Sequence, residues 1–381
     1  MSPDRARARD LGIAPGALPT GAANAITDVP GIRVGHATVI EGTGIRTGVT
    51  AVVHDKLLPH HPQRADRHGT PDDGGPQRAT IGVLPAGLSV FNGFGKMVGS
   101  TQLAELGMIE TPVLLTATLS VFRVADALLD YLYERHGGEP PRTLNPVVAE
   151  TNDGYLSDIW ARPITAEHVA MALDTAVGGP VPEGCVGAGT GTSALGFKAG
   201  IGTSSRVVNW AAGPVTLGAL VQANFGGELT VLGVPIPAAG EQPAPEHPDS
   251  GNSCVIVLAT DAALDSRELT RVANRAFAGM ARTGSDFSGG SGDYAIAVSA
   301  APQSAAGRAR PADGYRVPGK DLDLLFRAAI EATEEAILNS LFMAVTTTGF
   351  RGHVRHAVPL DYVRAQVSAR TDSQRQISRP D

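Results

Sequence analysis

Residues 252–261 read Asn-Ser-Cys-Val-Ile-Val-Leu-Ala-Thr-Asp, an almost wholly apolar run that opens on Ser253. Its length and β-branched content predict a strand buried on both faces rather than a core helix. Such a strand needs other structure packed above and below it. Directly before it, residues 236–252 (IPAAGEQPAPEHPDSGN) form a proline-rich polar segment that reads as an exposed loop.

Working outward, Asp265-Ser-Arg-Glu268 is a capping-box start for a helix that continues through Leu269, Val272, Ala276 and Met280 on one face. Tyr294–Ser299 reads as a short strand, and Leu322–Met343 as a long helix with Leu325, Ala329, Ala336 and Leu341 inward. The tail after about Ala369 is polar and predicted to fray. Upstream, Val215–Ala223 and Leu229–Val234 read as strands separated by a turn at Asn224–Gly227. Val121, Ala125, Leu128 and Leu132 recur at helical spacing before the stop at Gly137-Gly138. Thr165–Val177 is a second amphipathic helix with His168 on its surface, and ITDVPGIRVGH (26–36) suggests edge strands or a hairpin. Strands interleaved with long helices place the chain in the layered α/β class; the pattern fixes no topology.

The glycine-dense stretch from Gly184 to Arg206 implies close backbone approach, to a ligand or to another layer. It is not a nucleotide loop. Thr192 stands where a dinucleotide fingerprint needs its third glycine, and Gly196-Phe197-Lys198 breaks the phosphate-loop pattern.

A formal charge of −7 with no gathered basic face argues against nucleic acid as a partner. The uncharged window Val207–Gly227 is interrupted by Asn209, Pro214, Gln222 and Asn224, unlike a membrane span. The charged start of the chain lacks the apolar centre of a secretory signal, so the expected location is cytoplasmic. Cys185 and Cys254 have neither disulfide-framework nor zinc-site spacing and read as small buried residues. His60, His61 and His68 fall in the polar loop Leu57–Gln77; Gly69 and Pro71 deny His68 and Asp72 a shared helix face, so no metal site is expected.

Chemistry is suggested at three places. A flexible loop delivering Asn252-Ser253 to the first position of a buried strand suits internal scission. The Ser253 hydroxyl attacks the preceding carbonyl, an N-to-O acyl shift gives an ester, and water releases an N-terminal serine. Its new α-amino group, with a reference pKa of ~7.7–8.0, can then act as base to its own hydroxyl. Taken alone, a serine at a loop-to-strand boundary is an ordinary turn residue. Second, Ser288-Gly-Gly-Ser291-Gly-Asp293 sets a hydroxyl and a carboxylate among glycines just before a strand. Third, Glu150-Thr-Asn152-Asp153-Gly-Tyr155 offers a phenol that can donate to an oxyanion and carboxylates that can hold a cation, although an Asn-Asp-Gly turn alone explains the pattern.

Together, RARDLGI (7–13), NAITDVPGIRVGHATV (24–39), VVAETNDGYLSDI (147–159), GAGTGTSALGFKAGIGTSSR (187–206), LVQANFG (220–226), NSCVIVLATDA (252–262) and GSGDYAIAVS (290–299) resemble the DmpA/BapA family. This is the L-aminopeptidase/D-esterase and β-peptidyl aminopeptidase group of self-processing serine peptidases, and the blocks occur in the family's order along nearly the whole chain. The resemblance implies a four-layer αββα sandwich of the N-terminal-nucleophile hydrolase type, forming a single domain. It implies scission between Asn252 and Ser253 into chains 1–252 and 253–381, with Ser253 as nucleophile. Ser291 and Asp293 fall on the helper serine and acid, Tyr155 and Asn224 on the oxyanion residues, and Glu150 on the acid that binds the substrate's free amine. It further implies no cofactor, a small peptide or amino-acid amide substrate, and a homo-oligomer, often a tetramer. Two departures stand out: Asn252 replaces the glycine of some members, and Asp293 is one methylene shorter than the glutamate of others. Two other readings are an acyltransferase of the ornithine acetyltransferase type, which has a related fold, and a non-catalytic small-ligand binding protein.

Overall fold

The computed structural model describes residues 5–59, 81–136, 140–210, 213–238, 252–301 and 319–377. Its strands in chain order are β1 (Ile32–Glu41), β2 (Ile45–His54), β3 (Leu84–Gly93), β4 (Met108–Ile109), β5 (Val113–Ala117), β6 (Val147–Thr151), β7 (Ile201–Trp210), β8 (Gly213–Asn224), β9 (Asn252–Thr260) and β10 (Ser291–Ser299), besides three short two-residue ladders. The helices are α1 (Ser100–Leu106), α2 (Val121–His136), α3 (Ala166–Asp174), α4 (Ser266–Arg282), α5 (Gly319–Phe342) and α6 (Leu360–Ile377). One sheet runs β1-β2-β5-β6 and the other β4-β3-β10-β9-β8-β7.

Side-chain alternation along these strands builds the layers. In the first sheet Val34, Val52, Leu115 and Ala149 face the second sheet, while Val39, Val49, Leu114 and Val148 face α2 and α3. In the second sheet Leu220, Val255, Val257 and Ile296 face the first, while Val221, Cys254, Ile256 and Ala297 face α4 and α5. The order is therefore helices, sheet, sheet, helices. Because β9 and β10 are buried on both faces, neither shows polar alternation; they pair in parallel, and α4 makes the crossover between them.

The glycines of the 187–206 stretch serve close packing. A Cβ on Gly202 would stand 1.9 Å from the Ala336 carbonyl oxygen and 2.5 Å from the Ser340 nitrogen, so β7 lies directly against α5. A Gly202→Ala chain should lose about 1–3 kcal/mol of stability by overpacking. A Gly319→Ala control, where an added Cβ meets nothing within 4 Å, should melt as wild type. Equal melting temperatures in the two variants would contradict this reading.

Several local expectations change. Ser291 and Asp293 lie within β10 rather than in a loop before it, because pairing with β9 begins at Asn252↔Ser291. Leu229–Val234 is not one strand. Thr230–Val231 and Val234–Pro235 form a tight hairpin, with Leu232 and Gly233 at φ of 49° and 76°. His168 is more than a surface residue, since its Nδ1 accepts the Thr165 N–H at 3.1 Å and caps α3. α6 extends past Ala369 to Ile377. ITDVPGIRVGH does lead into an edge hairpin, β1–β2. His60, His61, His68 and residues 239–251 of the proline-rich segment lie outside the described residues.

Candidate active site

Strand register gathers the candidate residues. Ser253 opposes Gly292 on β10 and Asn224 at the end of β8. It is 3% exposed, and its Oγ accepts the Gly292 N–H at 3.2 Å. One residue either side of Gly292, the Ser291 hydroxyl donates to Asp293 Oδ1 at 2.6 Å. The shorter acid therefore still reaches its serine. Asn92 Nδ2 donates to Asp293 Oδ2 at 2.9 Å from β3. Burial raises the Asp293 carboxyl above its ordinary range, against the lowering effect of Ser291, Asn92 and the Cys254 N–H.

Asn224 is held at both ends of its amide. Its Oδ1 accepts the Ser193 N–H at 2.9 Å, and its Nδ2 donates to the Asn152 carbonyl at 2.9 Å. Opposed partners of this kind fix which end carries the N–H groups. The Asn152 carbonyl also ties the Glu150–Tyr155 segment to this corner. Tyr155 is supported from the chain's C-terminal part: its ring stacks on His353 with centroids 4.4 Å apart, Arg355 covers the ring at 3.7 Å, and its carbonyl accepts the His353 Nδ1–H at 2.8 Å. Glu150 is 2% exposed and accepts the Lys96 N–H at 3.0 Å on Oε1. Burial raises its carboxyl, opposed by the Lys96 N–H, the Lys96 charge and the Thr118 hydroxyl.

Among the described residues, no group of His, Cys, Asp and Glu could hold a metal ion, and no helix is long and apolar enough to cross a membrane. Of the cysteines, Cys254 is buried and Cys185 only partly so.

Residues 24–68 and 76–355 match peptidase family S58. The chain belongs to that family. It is 40% identical to the β-peptidyl aminopeptidase BapA of Sphingosinicella microcystinivorans, over 94% of this chain and 91% of the relative. It superposes on the L-aminopeptidase D-Ala-esterase/amidase of Ochrobactrum anthropi, described as a prototype for the serine aminopeptidases and a variant of the Ntn hydrolase fold, with a TM-score of 0.79, 36% identity and coverage of 96% and 99% of the two chains. A Pyrococcus horikoshii OT3 protein gives a TM-score of 0.82 at 39% identity, covering 96% and 99%. As an S58 member the protein is a hydrolase, a serine aminopeptidase with the N-terminal-nucleophile architecture, and the acyltransferase reading is not favoured.

Other parts of the candidate site escape sequence reasoning. Asn92 meets Asp293 through the β3–β10 pairing, which nothing in VFNGF announces. The Gly292 N–H is a backbone donor created by register alone. Ser193 enters through its amide, and its only signal is its place in the glycine-rich stretch.

Proposed function

We propose that this chain cuts its own Asn252–Ser253 bond and then removes amino-terminal residues from short peptides, amides or esters through an acyl-enzyme on Ser253. The observation that carries this reading is the register that sets the Ser253 hydroxyl, at the start of a buried central strand, against the Gly292 N–H and beside the Ser291–Asp293 pair.

In the scission step Ser253 Oγ bonds to the Asn252 carbonyl carbon, its proton passes by way of the Ser291–Asp293 pair to the Ser253 nitrogen, and the C–N bond breaks to leave an ester and a free amine. Water then cleaves that ester, releasing residue 252 as a carboxylate and restoring the Ser253 hydroxyl beside its free amine. In turnover that amine takes the hydroxyl proton as Ser253 attacks the substrate's first carbonyl, and returns it to the leaving amine. Asn224 and Tyr155 stabilise the oxyanion, and Glu150 receives the substrate's ammonium. Water resolves the acyl-enzyme. Family resemblance supports a homo-oligomer, a tetramer or larger, which light scattering of the purified protein measures.

Glu150→Gln should raise KM for substrates with a free amine by about tenfold or more, the worth of a hydrogen bond to a charged group. N-acetylated counterparts should be unaffected. Equal effects on both would remove Glu150 from amine recognition.

A further inference from the structure

Among the described residues, Glu150 Oε2 and both carboxylate oxygens of Asp153 are buried and make no hydrogen bond of normal geometry. Buried carboxylates are ordinarily paired, because an uncompensated charge out of water is costly. Asp153 is 2% exposed and follows Glu150 by three residues, around the turn whose Asn152 carbonyl holds Asn224. Burial, with a smaller push from Glu150, takes its carboxyl up to about 7 against the lowering effect of the Thr47 hydroxyl, its own backbone N–H and Lys198.

Neither nearby lysine meets the demand. The fully buried Lys198 ammonium donates to the carbonyls of Gly189, at 3.1 Å, and Ala199. Burial lowers its pKa, and the group that most counteracts this is Cys185, ahead of Asp153. Lys96 lies 3.9 Å from Glu150 Oε1, the oxygen that already accepts its N–H, and leaves Oε2 aside. The Thr47 hydroxyl approaches Asp153 from β2 and partly stabilises its ionised form. It is equally buried and makes no bond of normal geometry. A group with several donors and one positive charge is what this corner lacks.

We propose that Asp153 is a second carboxylate of the amine site, so that Glu150 and Asp153 together take the primary ammonium of the substrate. This rests on the assignment of Ser253 and Glu150 above. A primary ammonium has three N–H donors to meet the three unpartnered oxygens. An N-methylated amine has one fewer, so the site selects primary over secondary amines. Asp153 then governs specificity and makes binding fall as pH drops, since protonation removes the charge that attracts the ammonium and turns one acceptor oxygen into a donor.

The test compares β-alanine p-nitroanilide, whose amine lies far enough from the carbonyl to stay protonated, with p-nitrophenyl acetate, which has no amine. Asp153→Asn should lower kcat/KM on the anilide about tenfold more than on the acetate. In wild type the anilide-to-acetate ratio should rise with pH through about 7. That rise should vanish in Asp153→Asn and persist in Glu150→Gln. Equal losses on both substrates, or a flat wild-type ratio, would overturn the proposal. Should Asp153→Asn not fold, a rise absent from Glu150→Gln assigns the titration to Glu150 alone and overturns it equally. A wild type that hydrolyses neither compound strikes the Ser253 reading instead.

Discussion

A Ser253→Ala chain should run as one full-length band on a denaturing gel, while wild type should run as two. Loss of the hydroxyl removes scission, and with it the α-amine that serves as base, so nucleophile and base disappear in a single substitution. Turnover should fall by about a millionfold, the scale seen when the nucleophile of a serine hydrolase is removed. The methyl of alanine fits the strand position without strain, because Ser253 pairs with Gly292 and Asn224 through backbone register and sits in a continuous apolar run. The variant should therefore melt as a folded protein. Two bands from it would show that another residue makes the cut.

The second large effect is at Asn224. Replacement by alanine should slow turnover about 10²–10³-fold with little change in KM, the cost of losing one oxyanion donor. Because Ser193 N–H and the Asn152 carbonyl set the amide's orientation, alanine also frees the Glu150–Tyr155 segment from this corner. Asn224→Asp keeps an acceptor for Ser193 but loses the N–H groups that meet the Asn152 carbonyl and the oxyanion, so it should be as slow as alanine. Near wild-type rates in Asn224→Asp would make Asn224 a scaffold rather than an oxyanion donor. Scission develops the same kind of oxyanion at the Asn252 carbonyl, so both variants should also mature slowly on a time-course gel.

Layers were legible in the sequence because they follow from side-chain periodicity. The apolar run 253–260 required packing on both faces, and the helices at Val121 and Ser266 carried clear apolar stripes and stops. Sheet order was not legible, since long-range pairing leaves no local mark: β3 joins β10, and β8 joins β9, across segments of unrelated pattern. The same limit applied to the site. Ser253, Ser291, Asp293, Asn224, Glu150 and Tyr155 were reached by resemblance to whole blocks, and each taken singly resembled a turn residue. Asn92 and the Gly292 amide belong to the site by register, which residue type does not encode. Asp153 stood in plain view within Glu-Thr-Asn-Asp-Gly-Tyr, but the pattern also spelled an ordinary turn; only its burial without partners sets it apart.

Edman sequencing of the purified, active enzyme tests the central claim most directly. Two amino termini should appear, one from the beginning of the chain and one reading Ser-Cys-Val-Ile-Val from Ser253. Active enzyme that yields the first of these alone would contradict it.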